Sequence, residues 1–263
     1  RLRKTNLGNR IRDINSCVFM HMDRRQFVKN LGLGTASLSM GSLVTASSCA
    51  PSGDSSLKQN VKEGEDGQFL FIGDDIAIAQ TEYGKVQGYL LNHVYTFLGV
   101  PYGADTSGKN RFMPPQKPEP WTDVRPAVFY GNTAPQRMEN RWPNNYGTFA
   151  DHWNYWDVSE DCLYLNVWTP GIADGKKRPV LVWLHGGGFT NGSGIEQDGY
   201  HGENISREGN IVFCSINHRL GPIGFSDLSG VGGEAYKDSG NVGMLDIIAA
   251  LRWVHDNIAN FGG

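Results

Sequence analysis

Hydrophobic and polar residues are arranged in three short runs near the middle of the first half of the chain. The runs cover residues 76–81, 86–91 and 94–98, and turn-forming residues separate them at 83–85 and 92–93. Runs of this length that end in turn residues are typical of β-strands. The pattern therefore predicts an antiparallel meander.

Three further apolar runs follow a Pro-rich segment at residues 101–121. Residues 164–168 alternate between apolar and polar positions, which predicts a half-buried strand. Residues 180–184 and 211–216 are continuous apolar runs too short for helices, and they predict buried strands. A short helix fits residues 202–208.

The clearest helical pattern lies at the end of the sequence. Either Ser239 or Asn241 could cap its N-terminus, and Asn260 and Gly262 mark its end. Strands and helices that alternate in this way predict an α/β architecture preceded by the antiparallel meander. The apolar residues at helical spacing are Met244, Ile248, Leu251, Val254 and Ile258.

Composition and charge argue against one class of partner, nucleic acid. The chain has 263 residues, 39% hydrophobic and 19% charged, as in ordinary globular proteins. From Ala50 onward, 16 Lys and Arg residues face 25 Asp and Glu residues. An acidic body of this kind argues against nucleic acid as a partner.

The basic residues concentrate in a start that is typical of an export signal. Met22 is a plausible translation start, and residues 23–29 resemble a twin-arginine export motif. The uncharged residues 30–48 are too polar for a membrane-spanning helix. We therefore expect residues 1–49 to comprise upstream residues and an export signal, with a final location in the periplasm or at the cell surface.

The signal ends at Cys49, and two kinds of processing fit. Residues 46–49 resemble a lipobox, in which Cys49 is lipidated and attaches the protein to a membrane. Ordinary signal-peptidase cleavage near the same place is the alternative. Residues 50–67 form a polar Gly- and Ser-rich tether, and we assign residues 68–263 to the folded domain.

Cysteine and histidine spacing predicts no metal site. Only Cys162 and Cys214 fall in the folded domain, and they are too far apart in sequence for a short metal-type spacing. The seven His residues include no H-E-x-x-H pair. We therefore expect no metal ion and no cofactor.

Aromatic residues are dense at residues 141–157. Two interpretations stay open. The rings could cover the hydrophobic core, or some of them could line a substrate pocket, because ligand pockets are largely apolar and aromatic.

A glycine-rich segment indicates what kind of reaction the protein could support. The apolar run at 180–184 leads into His185 and three consecutive glycines at 186–188. Without Cβ atoms, the backbone N–H groups of glycines can approach another molecule closely. Such a loop suits the stabilisation of a developing oxyanion in acyl transfer.

Four sequence blocks around this loop resemble the type-B carboxylesterase family, which includes cholinesterases and bacterial para-nitrobenzyl esterases. The blocks lie at 159–168, 184–189, 217–225 and 240–263, in the order found in the family. The resemblance extends over residues 76–263. It implies an α/β-hydrolase fold with a mixed, mostly parallel sheet.

The resemblance also implies a mechanism and a small-molecule carboxylic ester as substrate. A serine attacks the ester carbonyl and forms an acyl-enzyme, while backbone N–H groups hold the oxyanion. By this match the loop donors are Gly187 and Gly188, and Gly186 shapes the turn. His185 is expected to orient the loop and not to act as the catalytic base.

The resemblance further implies two ion pairs that pin loops beneath the active site. These are Arg111 with Glu160 and Arg219 with Asp246, since Arg favours planar pairing with carboxylates. In many relatives a Cys-Pro-Gln segment pairs with the counterpart of Cys162. This chain has residues Ala-Pro-Gln at 134–136 instead, so Cys162 is expected to lack that partner.

The family's nucleophile motif, G-x-S-x-G, occurs nowhere in the 263 residues. We therefore expect the sequence to represent the N-terminal part of the domain, truncated before the nucleophile elbow and inactive alone. The leading hypothesis is a serine carboxylesterase. The alternatives are a non-catalytic cholinesterase-like binding or adhesion protein, and a truncated inactive product.

Overall fold

A six-stranded mixed sheet forms the centre of the computed structural model, which describes residues 69–137 and 157–263. Its strand order is β1-β4-β5-β7-β9-β8, and a second sheet has the order β2-β3-β6. The strands are β1 (Leu70–Phe71), β2 (Ile78–Gln80), β3 (Lys85–Gln87), β4 (Tyr89–Leu91), β5 (Val94–Pro101), β6 (Arg125–Pro126), β7 (Tyr164–Thr169), β8 (Val180–Leu184) and β9 (Val212–Ile216).

In residues 69–137 and 157–263, four α-helices accompany the sheets, and short 3₁₀ turns connect the elements. The helices predicted near residues 202 and 241 are both confirmed. The α-helices are α1 (Glu203–Gly209), α2 (Gly221–Phe225), α3 (Ser229–Gly232) and α4 (Val242–Asn257). The 3₁₀ turns are Gly108–Asn110, Asp198–Tyr200, Glu234–Tyr236, Ser239–Asn241 and Ile258–Phe261.

Strand direction in the large sheet differs from the mostly parallel sheet that the resemblance implies. Among the described strands, four of its five pairings are antiparallel, and β8 with β9 is the parallel one. A tight turn between consecutive strands makes them antiparallel, whereas a parallel pair needs a crossover connection. Here that crossover contains α1, which lies between β8 and β9 in the chain.

The β4–β5 hairpin confirms the turn predicted at residues 92–93. Asn92 and His93 have φ values of 49° and 66°, and Leu91 pairs with Val94. Two consecutive left-handed residues make the turn type whose twist matches that of the flanking strands. The Asn92 side chain also accepts a hydrogen bond from the Phe69 N–H at 3.2 Å.

The run predicted as one strand at residues 86–91 is divided at Gly88 into β3 and β4. The two halves belong to different sheets. A Cβ atom at Gly88 would lie 2.0 Å from the carbonyl oxygen of Thr96. Glycine therefore lets the chain pass close to β5 where it leaves one sheet and enters the other.

β7 is buried along nearly its whole length, although its alternating pattern predicted a strand with one solvent-exposed face. It lies between β5 and β9, so both of its edges are paired. Its polar residue Asn166 remains hydrogen-bonded: Gly99 N–H donates to Oδ1 at 2.9 Å, and Nδ2 donates to Ser215 Oγ at 3.1 Å. These bonds offset the cost of burying the amide.

β8 lies at the end of the described six-stranded sheet, although its apolar run predicted burial. The side chains of Leu181 and Leu184 are 38% and 46% exposed. Hydrophobicity predicted the strand correctly, and among the described strands β8 has one neighbour, β9.

The buried face of α4 is also displaced from the predicted stripe. Ile248 and Leu251 are 42% and 44% exposed. Asp246 and Asn257 lie on the buried face instead, and their polar groups have partners. The buried residues of α4 are Val242, Gly243, Asp246, Ile247, Ala250, Trp253, Val254 and Asn257.

Of the two residues predicted to cap α4, Asn241 occupies the N-cap position but does not cap the helix with its side chain. Asn241 directly precedes the helix, yet its side chain makes no capping hydrogen bond. The Ser239 hydroxyl instead accepts the Leu228 N–H at 2.8 Å. Ser239 therefore ties the preceding loop to the helix start.

The described cysteines are buried and free. Burial raises the pKa of the Cys214 thiol to about 12 and that of Cys162 well above its usual range. In residues 69–137 and 157–263, no cluster of three or more His, Cys, Asp or Glu residues could hold a metal ion. No helix in those ranges has the length and apolarity needed to cross a membrane.

Several sequence predictions fall outside the described residues. They are the export signal with Cys49, the polar tether at 50–67 and nearly all of the aromatic segment at 141–157.

Candidate functional site at the glycine loop

Residues 185–194, called here the glycine loop, follow β8 directly and adopt a backbone that requires glycine. Gly187, Gly188 and Gly192 have φ values of 119°, 61° and 110°. A Cβ atom at Gly187 would lie 1.9 Å from the carbonyl oxygen of Asn191. Gly187 is therefore a steric requirement of this turn and Gly188 is favoured by its positive φ, whereas a Cβ atom at Gly186 would have nothing within 4 Å.

The turn is closed by hydrogen bonds to one carbonyl. Gly187 O accepts the N–H groups of Thr190 and Asn191 at 3.2 and 3.3 Å, and the Thr190 hydroxyl at 2.9 Å. The N–H groups of Gly187 and Gly188 have no acceptor among the described residues, and both glycines are exposed. The loop thus presents two backbone donors on its outer side.

Two histidine rings lie behind the loop. The rings of His185 and His218 stack with centroids 4.9 Å apart and planes inclined by 14°. His185 Nδ1 lies 2.9 Å from Gly186 O, and His218 Nδ1 lies 2.9 Å from Arg219 O. Because a carbonyl oxygen only accepts, each contact requires a proton on Nδ1. These contacts give His185 a position suited to the orienting role predicted for it.

His218 is the buried member of the stack, at 3% exposure. Burial is the main reason that the pKa of His218 lies below its ordinary value. The stack therefore places the buried ring of His218 against His185 at the start of the loop.

Two carboxamide side chains hold the far end of the glycine loop. Gln136 Oε1 accepts the Gly192 N–H at 2.7 Å, and Gln136 Nε2 donates to Gly192 O at 2.9 Å. Asn217 Oδ1 accepts the Gly194 N–H at 2.7 Å, and Asn217 Nδ2 donates to Asn132 O at 3.1 Å. Both amides bridge the loop to residues 132–136.

The predicted pair between Arg219 and Asp246 is confirmed. Nη2 donates to Oδ1 at 2.7 Å, Nε donates to Oδ2 at 2.8 Å, and the Arg219 N–H adds a bond to Oδ2 at 3.0 Å. Arg219 Nη1 also donates to Met113 O at 2.8 Å. The side chains are 1% and 0% exposed, so this pair joins α4 to the segment after β9 inside the core.

The predicted pair between Arg111 and Glu160 is confirmed as well. Nε donates to Oε2 at 2.7 Å and Nη2 to Oε1 at 2.6 Å. The side chains are 47% and 21% exposed. This pair lies on the surface, two residues from the Met113 carbonyl that Arg219 holds from within.

Sequence motifs do not indicate the contacts of Gln136 and Asn217. Gln136 follows the alanine that replaces a cysteine at residue 134, and Asn217 is the first residue of the block at 217–225. An amide near a glycine turn has no local pattern, since Gln136 and Gly192 are 56 residues apart. The position of Gln136 inside a family segment was the one available signal.

Comparisons with known proteins agree on one family. Residues 75–263 match the model of the carboxylesterase family. The para-nitrobenzyl esterase of Bacillus subtilis (strain 168) is 42% identical over 189 residues, covering 71% of this chain and 36% of that protein. The phenmedipham hydrolase of Pseudarthrobacter oxydans is 44% identical over 186 residues, covering 71% of this chain and 35% of that protein.

Solved structures give the same result. An esterase from Clostridium hathewayi superimposes with a TM-score of 0.68 at 41% identity, covering 74% of this chain and 37% of that one. A carboxylesterase from Geobacillus stearothermophilus gives 0.62 at 41% identity, covering 71% and 35%. The chain thus spans about a third of the length of the relatives it matches.

Proposed function

Because this chain belongs to the carboxylesterase family, we propose that it supplies the oxyanion-binding part of a serine-dependent carboxylic ester hydrolase. The described strands and helices are part of an α/β-hydrolase fold, as in the esterases of solved structure. The proposal covers the whole protein, and this chain spans about a third of the length of the relatives it matches.

The observation that carries the proposal is the pair of outward backbone donors. The N–H groups of Gly187 and Gly188 have no acceptor among the described residues, and the turn behind them is closed on Gly187 O. Donors that are already oriented need no rearrangement when charge develops on a substrate oxygen. Exposed N–H groups also bind water, and the position of this pair in a segment that matches the carboxylesterase family supports the oxyanion role.

In the proposed reaction, a serine hydroxyl attacks the carbonyl carbon of an ester while a base takes its proton. The C=O π electrons move onto the oxygen, which Gly187 and Gly188 receive through their N–H groups. Collapse of this intermediate expels the alcohol and leaves an acyl-enzyme. Water then adds to the acyl carbonyl by the same route and releases the acid. The 263 residues contain no G-x-S-x-G motif, so none of their serines is assigned to this step.

The test compares two glycines in the complete enzyme. A Cβ atom at Gly187 would meet Asn191 O at 1.9 Å, whereas a Cβ atom at Gly188 has nothing within 4 Å. Gly187→Ala must displace the loop, so we expect kcat for para-nitrobenzyl acetate to fall by about 10²–10³. Gly188→Ala keeps its N–H in place and should lose far less.

A matched control separates loop displacement from backbone strain. Gly175 has a φ of 66°, close to the 61° of Gly188, and a Cβ atom there also has nothing within 4 Å. Gly175→Ala should therefore share the strain of Gly188→Ala and leave kcat unchanged. A Gly187→Ala enzyme with wild-type kcat would contradict the proposed role of the loop.

The complete protein also decides between catalysis and binding. An active enzyme whose gene encodes a G-x-S-x-G motif supports the ester hydrolase. A protein that retains the loop, lacks the serine and hydrolyses no ester is the non-catalytic binding or adhesion protein. A gene that stops without the motif corresponds to the truncated product.

Export remains part of the proposal. The twin-arginine-type residues 23–29 and the lipobox-like end at Cys49 support transport from the cytoplasm, with or without lipid attachment. Cell fractionation of wild type and Cys49→Ser tests both points. Lipidation predicts that the substitution moves the protein from the membrane fraction to the soluble fraction. Wild-type protein confined to the cytoplasm would refute export.

A further inference from the structure

Gln136 makes a two-point contact with the backbone of the glycine loop. Its carboxamide accepts the Gly192 N–H at 2.7 Å and donates to Gly192 O at 2.9 Å. The same Nε2 lies 3.1 Å from Ala134 O. Two opposed hydrogen bonds to one residue fix both its position and its orientation, as a neighbouring strand would.

The segment that carries Gln136 is itself held firmly. Thr133 N–H donates to Asp157 O at 2.8 Å, and Ser159 N–H donates to Thr133 O at 3.0 Å. Ala134 is 2% exposed. Gln136 therefore extends from an anchored segment, and its amide can transmit that anchoring to the loop.

Gly192 in turn packs directly against the start of the loop. A Cβ atom at Gly192 would lie 2.3 Å from Gly186 O and 2.5 Å from His185 Nδ1. Gly186 O and the His185 ring thus both lie close to the Gly192 backbone, and His185 Nδ1 is 2.9 Å from Gly186 O. A shift of Gly192 changes the space available to that carbonyl.

The carbonyl of Gly186 and the N–H of Gly187 belong to one peptide unit. That unit is planar and trans, since the structure has no cis peptide among its described residues. In a trans peptide the C=O and N–H bonds point in opposite directions. The contacts that hold Gly186 O on the inner side therefore aim the Gly187 N–H outward.

We propose that Gln136 is a positioning residue for this oxyanion donor: it holds Gly192 against Gly186 O and so sets the direction of the Gly187 N–H. The inference rests on the proposed ester hydrolase function. Gln136 contacts neither the substrate nor the donor itself, and it acts through two backbone contacts. Its removal should reduce transition-state stabilisation and leave ground-state binding nearly unchanged.

Kinetics of the complete enzyme provide the first test. We expect Gln136→Leu to lower kcat about ten- to a hundredfold, the range expected when a reacting geometry is displaced, with little change in KM. Gln116→Leu is the matched control, because the exposed Gln116 amide bonds only to nearby Pro114 O, at 3.0 Å.

Gln136→Glu gives a readout that a purely structural role would not move. A protonated carboxyl can both accept from Gly192 N–H and donate to Gly192 O, as the amide does, whereas the carboxylate can only accept. Facing a carbonyl oxygen favours the protonated form and raises the pKa of the new carboxyl. Activity relative to wild type should therefore rise as the pH falls through that pKa, while Gln116→Glu stays flat.

Hydrogen exchange tests the inference without relying on activity. In the complete protein, Gln136→Leu should speed amide exchange in peptides covering residues 186–192, with no change in peptides of β5 or β9. Unchanged exchange and unchanged kcat would overturn the proposal, as would equal losses for the Leu and Glu variants at every pH. If the protein hydrolyses no ester, the proposed function fails and exchange alone decides the role of Gln136.

Discussion

Two ion pairs of the same chemistry lie on opposite sides of one short segment. Arg111 binds Glu160 with two hydrogen bonds at the surface, where the side chains are 47% and 21% exposed. Arg219 binds Asp246 with the same fork geometry in the core, at 1% and 0% exposure. Through Met113 O, the buried arginine holds the segment that begins at Arg111.

The two ion pairs differ in the environment that each charged side chain would have if its partner were removed. Water can solvate either member of the surface pair, so the attraction is weakened and the loss of a partner is tolerated. In the core, a lone Asp246 would keep its charge without a counter-ion, or take up a proton. Equal geometry therefore does not imply equal contribution to stability, and both pairs were indistinguishable by sequence.

The largest effect is expected from Arg219→Leu. Removal of one partner from a buried pair destabilises proteins by about 3–5 kcal/mol. Urea unfolding of the complete protein should show a loss in this range. The double variant Arg219→Leu/Asp246→Leu should be more stable than the single variant, because it buries no unpaired charge.

Cys162 supplies an independent measurement of the same effect. Burial raises the pKa of its thiol, and the nearby Asp246 carboxylate adds to that shift, so the folded protein protects it from alkylation. Arg219→Leu should increase its labelling rate by about a hundredfold to a few thousandfold, since a loss of about 3–5 kcal/mol raises the open population tenfold for every 1.4 kcal/mol. A stability loss below about 1 kcal/mol would show that water reaches the pair.

The smallest effect is expected from Glu160→Gln. The resemblance alone implies that this change lowers folding yield. Because Arg111 is 47% exposed, we expect the loss of stability to be small. The urea midpoint should shift only slightly, and salt at about 0.5 M should reduce the difference further by screening. A loss as large as that of Arg219→Leu would remove the contrast between surface and core.

Local features of the fold were predictable from sequence. The turn at residues 92–93 needs two left-handed residues, and the apolar runs at 180–184 and 211–216 are too short for helices. Glycines at 187 and 188 indicate a backbone with positive φ values, which other residues rarely adopt. In each case the determining physics acts within a few residues, so one stretch of sequence contains it.

Features that depend on distant neighbours were not predictable. The apolar spacing of α4 includes Ile248, which is 42% exposed, and does not indicate that Asp246 lies on the buried face. The break at Gly88 follows from the approach of Thr96. The link between Gln136 and Gly192 joins two loops that share no periodicity, and only the folded chain brings them together.

The glycine loop is held at its far end by groups that cannot ionise. Gln136 and Asn217 are amides, and their partners are backbone atoms of Gly192 and Gly194. A lower pH or a higher salt concentration should therefore change these hydrogen bonds little. In a serine hydrolase built on this loop, the far end would keep its geometry across the pH–rate profile, and the limbs of that profile would belong to groups that transfer protons.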